Sequence, residues 1–171
     1  MSGPEFHRPV DRRRIADAPL TIEADAAERA ALAARFGLVA IRRLSATLSL
    51  SCRDDVVTAQ GRLSARIVQS CAVSGEDLPV TIEEPITFRF VPEAALPNGE
   101  ELEIDADQCD EIGYTGHAFD LGEAVAQTLA LAIDPYACGP DAERVRREQG
   151  ITDRAASGAF AALAALKRDP G

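Results

Sequence analysis

Between Leu38 and Val91 the chain alternates apolar and polar residues with the period of a β-strand. Apolar side chains occupy every second position over long stretches, and the positions between them hold mainly serine, threonine, arginine or glutamate. Strands with one buried and one polar face are typical of antiparallel sheets, whereas parallel strands are usually buried on both faces. The alternation therefore predicts an antiparallel β-meander of about four to six strands, curved into a sheet or partial barrel.

Turn-forming residues divide this meander into strands. Arg53–Asp55 ends the first strand, and the second and third strands are predicted over Val56–Gly61 and Leu63–Cys71. Cys71 has the parity of the inward-facing residues of the third strand, so we expect it to be a structural core residue. Pro85 interrupts the last strand and predicts a bulge or a sheet edge, because proline has no amide hydrogen to donate to a neighbouring strand.

A first helix is predicted from about Asp25 to Phe36. Asp25 and Glu28 have the spacing of a capping box, in which each side chain accepts a hydrogen bond from the other residue's backbone. Gly37 follows the last helical residue, where a left-handed backbone conformation commonly ends a helix.

A second helix is predicted from Asp120 to about residue 133. Asp120 and Glu123 form a second candidate capping box, and Pro135 stops the helix. We expect this helix to close the core, with Leu129 and Phe88 among the buried side chains. Its apolar residues recur every four positions, at Leu121, Val125, Leu129 and Ile133.

These elements predict an α+β fold in which the N-terminal helix and the closing helix pack on the meander. A single domain is expected over residues 1–140, with a flexible N-terminal segment at about 1–18 and an acidic loop at about 92–118. The loop is expected to hold one short strand near residues 102–104. Residues 141–171 are charged and alanine-rich, and they predict a helical appendage.

The chain has no apolar run long enough to span a membrane, and its first residues, MSGPEFHRPVDRRR, lack the apolar stretch of a signal peptide. We therefore expect a cytoplasmic protein that does not act at a membrane. Its four cysteines would then be reduced, and no two of them have the spacing of a metal knuckle. We expect no metal and no other cofactor.

The net charge of −10 is unevenly distributed. Residues 67–141 hold 16 carboxylates and one arginine, whereas residues 1–66 have a net charge of +3 and residues 142–171 of +2. Acidic surfaces attract basic partners, and arginine clusters can contact a nucleic-acid backbone, although solvated surface is the simpler explanation for each. The candidate partner-binding acids are Glu100, Glu101, Asp105 and Asp107. The candidate RNA-contacting residues are Arg8, Arg12, Arg13, Arg14, Arg42 and Arg43.

A catalytic alternative uses Cys109 as nucleophile, His117 as its base and Asp120 to orient the base, as in a small hydrolase or transferase. Neighbouring carboxylates raise the pKa of a thiol and oppose this chemistry. Asp120 also has a simpler role as a helix cap. We therefore expect no catalytic residues and no small-molecule substrate.

Four stretches together resemble one family: PEFHRPV, ERAALAARFGLVAIRRLSATLSL, GRLSARIVQSCAVSGEDLPVTIEEPITFRFVPE and FDLGEAVAQTLALAIDPYACGP. In this order, over about residues 4–140, they resemble the YceD family of large ribosomal RNA subunit accumulation proteins, in the short form typical of alphaproteobacteria. The most specific pieces are Gln69-Ser70-Cys71 before Leu78-Pro79, and Asp120-Leu121-Gly122-Glu123 at the start of the second helix.

The resemblance implies a cytoplasmic, non-enzymatic factor for the processing or accumulation of large-subunit ribosomal RNA. Its partner would be a large-subunit precursor, reached through a basic ribosomal protein or through the RNA. Many members carry Cys-x-x-Cys at Cys71 and a second cysteine pair after the closing helix, which suggests a metal knuckle. This chain has Ser74 in place of the second cysteine and retains only Cys138 after the helix, so that site is not expected here. An adaptor unrelated to ribosomes remains a further alternative.

Overall fold

The structure is a computed structural model that describes residues 4–95 and 111–150. Its described residues fall into two compact units, a larger one within 1–69 and 79–134 and a smaller one within 70–78 and 135–150. Short 3-10 turns cover Arg12–Arg14 and Glu93–Ala95. The remaining elements are β1 (Pro9–Asp11), β2 (Leu20–Glu23), α1 (Ala26–Phe36), β3 (Ala40–Arg53), β4 (Val56–Ser70), β5 (Asp77–Pro92), β6 (Glu111–Tyr114), β7 (Ala118–Asp120), α2 (Leu121–Ala132) and α3 (Ala142–Glu148).

The main sheet has five strands in the order β2-β3-β4-β5-β6. The pairs β2–β3 and β3–β4 are antiparallel, but β6 lies parallel to β5. The α+β class is confirmed, and the sheet is not closed into a barrel. The parallel strand β6 lies outside the region predicted as an antiparallel meander, so the sheet as a whole is mixed. A second, two-stranded sheet pairs β1 with β7.

Three long strands fill the region where four to six were expected, because the predicted second and third strands are one continuous strand, β4. Gly61 does not interrupt the strand. It pairs with Leu48 of β3, and a Cβ atom at Gly61 would lie 1.9 Å from the carbonyl oxygen of Thr47. The glycine therefore allows β3 and β4 to approach closely within an unbroken ladder.

A two-residue turn connects β3 to β4, as the sequence predicts. Asp54 and Asp55 have φ angles of 50° and 67°, so both central residues are left-handed, as in the turns that match the twist of a hairpin. Pro85 lies in β5 before the residues that pair with β6, which begin at Arg89. The acidic loop contains a strand at its C-terminal end, β6, that the sequence did not predict. The short strand expected near residues 102–104 lies outside the described residues.

Both main helices begin close to their predicted first residues. The capping box of Asp25 and Glu28 is present, and Gly37 is left-handed with a φ of 66°. Asp120 caps α2 by accepting from the amides of Gly122 and Glu123. The second half of the predicted box is absent, because the carboxylate of Glu123 binds Arg35 of α1 instead.

The core of the larger unit lies between the sheet and the two helices. Leu32 of α1 and Leu129 of α2 are fully buried, and Phe88 of β5 is 6% exposed, in agreement with the sequence pattern. Phe6 is also fully buried, although it lies in a polar, proline-containing segment. A Cβ at Gly122 would lie 2.3 Å from the Phe6 carbonyl oxygen, so the absence of a side chain there lets the N-terminal segment pack against the first turn of α2.

The smaller unit contains the turn after β4 and the segment that leads into α3. The amide of Ala72 donates to the carbonyl of Ala137 at 3.0 Å, which joins its two chain segments. Among the helices of the described residues, none is long and apolar enough to cross a membrane.

Candidate nucleic-acid interface

A bulge in β3 brings two consecutive arginines to the surface. Before the bulge Ile41 pairs with Ile67 of β4, and after it Arg43 pairs with Arg66, so Arg42 is the extra residue. Ile41 is buried, whereas Arg42 and Arg43 are both exposed. The bulge thus exposes two consecutive arginines on a strand that otherwise alternates, and Arg42 also lines a cleft beside α1.

Arginines of β4 extend this patch. Arg62 and Arg66 have the opposite parity to the buried residues Leu63 and Ala65, so they lie on the outer face of the sheet. Arg66 is directly opposite Arg43, at a Cα separation of about 4.5–5.5 Å for such a pair, and Arg62 is about 13 Å further along the strand. We call Arg42, Arg43, Arg62 and Arg66 the sheet arginines.

The fold leaves the sheet arginines almost without carboxylate partners. Within the described residues, the guanidinium groups of Arg42, Arg62 and Arg66 make no hydrogen bond or ion pair. Arg43 has one partner, Glu23 of β2, with 3.7 Å between Nε and Oε1 and more than half of each side chain exposed. Such exposed pairs contribute little to stability, and like charges directly opposite each other destabilise an antiparallel pair. The positive charge of this patch is therefore available to an external anion.

The arginines near the N-terminus have different surroundings. We call Arg8, Arg12, Arg13 and Arg14 the N-terminal arginines. Both terminal nitrogens of Arg8 donate to Glu28, at 2.6 and 2.8 Å, and Arg8 also donates to the carbonyls of His7 and Glu23. This contact lowers the pKa of the Glu28 carboxyl, chiefly through the hydrogen bond from Arg8. Arg8 therefore links the N-terminal segment to the start of α1.

Two of the next three arginines also bind carboxylates. Arg13 donates to Asp11 at 2.7 and 3.0 Å, which lowers the pKa of that carboxyl, and Arg12 binds Asp55 in the β3–β4 turn. The side chain of Arg14 is exposed and has no such partner within the described residues. Of the six arginines that the sequence suggests for RNA contact, three are thus neutralised by the fold.

Asp120 connects the N-terminal segment to α2. Its Oδ1 accepts from the amides of Arg8, Gly122 and Glu123, at 2.9, 3.0 and 3.2 Å, and its Oδ2 lies 2.5 Å from Nδ1 of His7. Burial raises the pKa of this carboxyl, but the hydrogen bonds from Arg8 and His7 lower the pKa by more than burial raises it. The net shift of the pKa is therefore downward. The PEFHRPV and FDLGE stretches of the sequence therefore meet in space.

This arrangement contradicts one part of the catalytic alternative. The carboxylate expected to orient His117 binds His7 instead, and the exposed His117 ring lies 3.4 Å from Arg12. Cys109 lies outside the described residues. So do Glu100, Glu101, Asp105 and Asp107, and the role of these acids stays a prediction.

Cys71 is buried, with 3% of its surface exposed, as its parity predicts. The amides of Gly139 and Ser74 donate to its sulfur, each at 3.3 Å, and they lower the pKa of the thiol to about 6. Cys138, in the same unit, is exposed. Within residues 4–95 and 111–150, no three histidine, cysteine or acidic side chains cluster closely enough to hold a metal ion.

The fold and this surface define a class: an α+β protein whose sheet carries exposed arginines, three of which have no partner within the described residues. The model of one family, described as large ribosomal RNA subunit accumulation protein YceD, matches residues 59–167. The match covers more than half of the chain, and the chain belongs to the YceD family. The matched region includes Arg62 and Arg66 and begins after the N-terminal arginines. No curated protein and no solved structure shows a significant match to the chain.

Proposed function

We propose that this protein is a non-enzymatic, cytoplasmic factor that supports the accumulation of large-subunit ribosomal RNA by binding that RNA or its precursor through the sheet arginines. The family's name connects its members with the large ribosomal RNA subunit. One structural observation carries the mechanism: Arg43 and Arg66 face each other across β3 and β4, and Arg66 has no carboxylate partner within the described residues. A phosphate backbone would relieve this repulsion and release its own counterions.

The net charge of −10 does not oppose this mechanism. Electrostatic contact depends on the local charge within about a Debye length, roughly 10 Å at 0.1 M salt. The directly opposed Arg43 and Arg66 lie well within that distance, and Arg62 lies only slightly beyond it along β4. The acidic majority outside the patch reduces non-specific binding to other polyanions. A basic local surface on an acidic protein therefore favours specific RNA binding over non-specific binding of polyanions.

Complementation in cells tests the proposal. Cells that lack the gene would receive the wild type, the double variant Arg62→Gln/Arg66→Gln, or the control Arg53→Gln/Arg147→Gln. The control removes the same charge at two exposed arginines whose side chains also lack partners within the described residues. The readouts are the ratio of large-subunit to small-subunit ribosomal RNA and the sedimentation of the protein with large-subunit precursors.

We expect deletion to lower the ratio, and only the wild type and the control to restore it and to sediment with precursors. A normal ratio in the deletion strain would refute the family role for this protein. Full restoration by Arg62→Gln/Arg66→Gln would refute the arginine contact. If neutralising Glu100, Glu101, Asp105 and Asp107 abolished association instead, the partner would be a basic protein.

A further inference from the structure

We infer that the sheet arginines recognise base-paired RNA through its phosphate backbone and do not recognise unpaired bases. The inference rests on the proposed function and names the class of RNA that this surface takes. Three features of the larger unit support it. They are the density of charge on the patch, the absence of exposed aromatic rings among the described residues of the outer face of the sheet, and the rigidity with which β3 and β4 hold the arginines.

The charge density of the patch matches a duplex better than a single strand. Arg43 and Arg66 are directly opposite each other, and Arg62 lies about 13 Å from Arg66 along β4. A duplex presents phosphates from two strands, about one charge per 1.7 Å of helix axis, and each contacted phosphate releases more condensed counterion than in a single strand. A compact group of cations therefore gains more from a duplex.

Among the described residues, the outer face of the sheet carries no aromatic ring on which a base could stack. All the aromatic residues of the main sheet, Phe88, Phe90 and Tyr114, are at least 94% buried. The outer positions beside the arginines hold hydroxyl side chains instead, including Thr47 and Ser49. In surfaces that bind single strands, each base stacked on an aromatic ring increases the affinity roughly five- to hundredfold. A surface of arginines and hydroxyls is suited to phosphates and sugar hydroxyls.

The hairpin fixes the arginines relative to one another. The two-residue turn sets the register of β3 and β4 over their whole length, and the bulge at Arg42 is part of that register. Glu23 on β2 borders the patch near Arg43, and Glu83 on β5 accepts from Ser64, which lies between Arg62 and Arg66 on the same face of β4, at 2.5 Å. The basic stripe is therefore two strands wide and follows the hairpin, as expected for a rigid, rod-shaped ligand.

Binding of labelled RNA by fluorescence anisotropy tests the inference. The probes are a 16-base-pair RNA duplex and a 16-nucleotide RNA of the same length with a sequence that forms no base pairs, each with the full-length protein at 0.1 M salt. The variants are Arg62→Gln/Arg66→Gln and the control Arg53→Gln/Arg147→Gln. Circular dichroism checks that each variant is folded.

We expect the wild type and the control to bind the duplex at least about tenfold more tightly than the single strand, since the duplex has the denser array of phosphates and the described part of the sheet offers a single strand no exposed aromatic ring. The sheet variant should lose this preference. The wild type could instead bind the single strand as tightly as the duplex or more tightly, with the sheet variant binding it more weakly. That result would overturn the inference and leave the RNA-binding proposal intact. Binding of both probes that the sheet variant leaves unchanged would overturn both, as would binding of neither probe.

Discussion

The N-terminal arginines and the sheet arginines carry the same charge but have opposite surroundings. Arg8 is bound by both oxygens of Glu28, and Arg13 by both oxygens of Asp11. Arg62 and Arg66 have no partner within the described residues, and Arg66 faces another arginine. The N-terminal group therefore stabilises the fold, whereas we expect the sheet group to lower stability, and the proposed function assigns it to RNA binding. Counting charges along the chain does not distinguish the two groups of arginines. Their carboxylate partners in the structure do.

The largest effect should come from the N-terminal segment itself. Phe6 is fully buried, and the guanidinium of Arg8 lies 4.6 Å from the centre of its ring. We expect Phe6→Ala to lower the free energy of unfolding by about 3–5 kcal/mol, because it leaves a cavity in the core. Urea denaturation measures the change. A loss below about 0.5 kcal/mol, the usual effect of a surface substitution, would show that the segment is not part of the folded unit.

Arg8→Gln should have the next largest effect. We expect a loss of about 1.5–3 kcal/mol at pH 7, the usual cost of removing a hydrogen bond to a charged group, with unchanged affinity for RNA. The pKa of Glu28 is lowered in the folded state, so its contribution is complete above its ordinary pKa of about 4.3 and is lost as the pH falls through the lower folded value. The difference between wild type and variant should therefore shrink below about pH 4. A pH-independent difference would point to lost packing instead of a lost ion pair.

Arg66→Gln should have the smallest effect on stability and the opposite sign. It removes one of two like charges that face each other, so we expect a gain of about 0.2–1 kcal/mol at low salt that disappears as salt is added. Thermal denaturation at two ionic strengths measures it, with Arg53→Gln as the control. Destabilisation by Arg66→Gln would mean that the arginine has a structural partner, and it would remove the contrast between the two groups.

Local patterns in the sequence predicted the helices and the buried faces of the strands. Helix caps and alternation act over a few residues, so Asp25, Gly37 and Leu129 could be placed correctly. The parity of Arg62 and Arg66 was also visible, since both alternate with buried residues. Their position opposite Arg43 was not visible, because it depends on the length of the turn and on the bulge at Arg42.

Other features depend on contacts between distant parts of the chain. Glu123 was expected to complete a capping box, but Arg35 on another helix binds it. β6 lies parallel to β5 after a long connection, and no local pattern distinguishes that arrangement from an antiparallel one. The pairing of Arg8 with Glu28, 20 residues away, likewise removed an arginine that charge alone had suggested for RNA contact.

The salt dependence of RNA binding tests the central claim most directly. For a duplex, each lost phosphate contact lowers the slope of log affinity against log salt by about 0.9. Replacing all four sheet arginines by glutamine should therefore reduce the slope by about 3–4, whereas replacing Arg12, Arg13 and Arg14 should reduce it by no more than about 1, from Arg14. A large reduction in the N-terminal variant, with an unchanged slope in the sheet variant, would contradict this account of the interface.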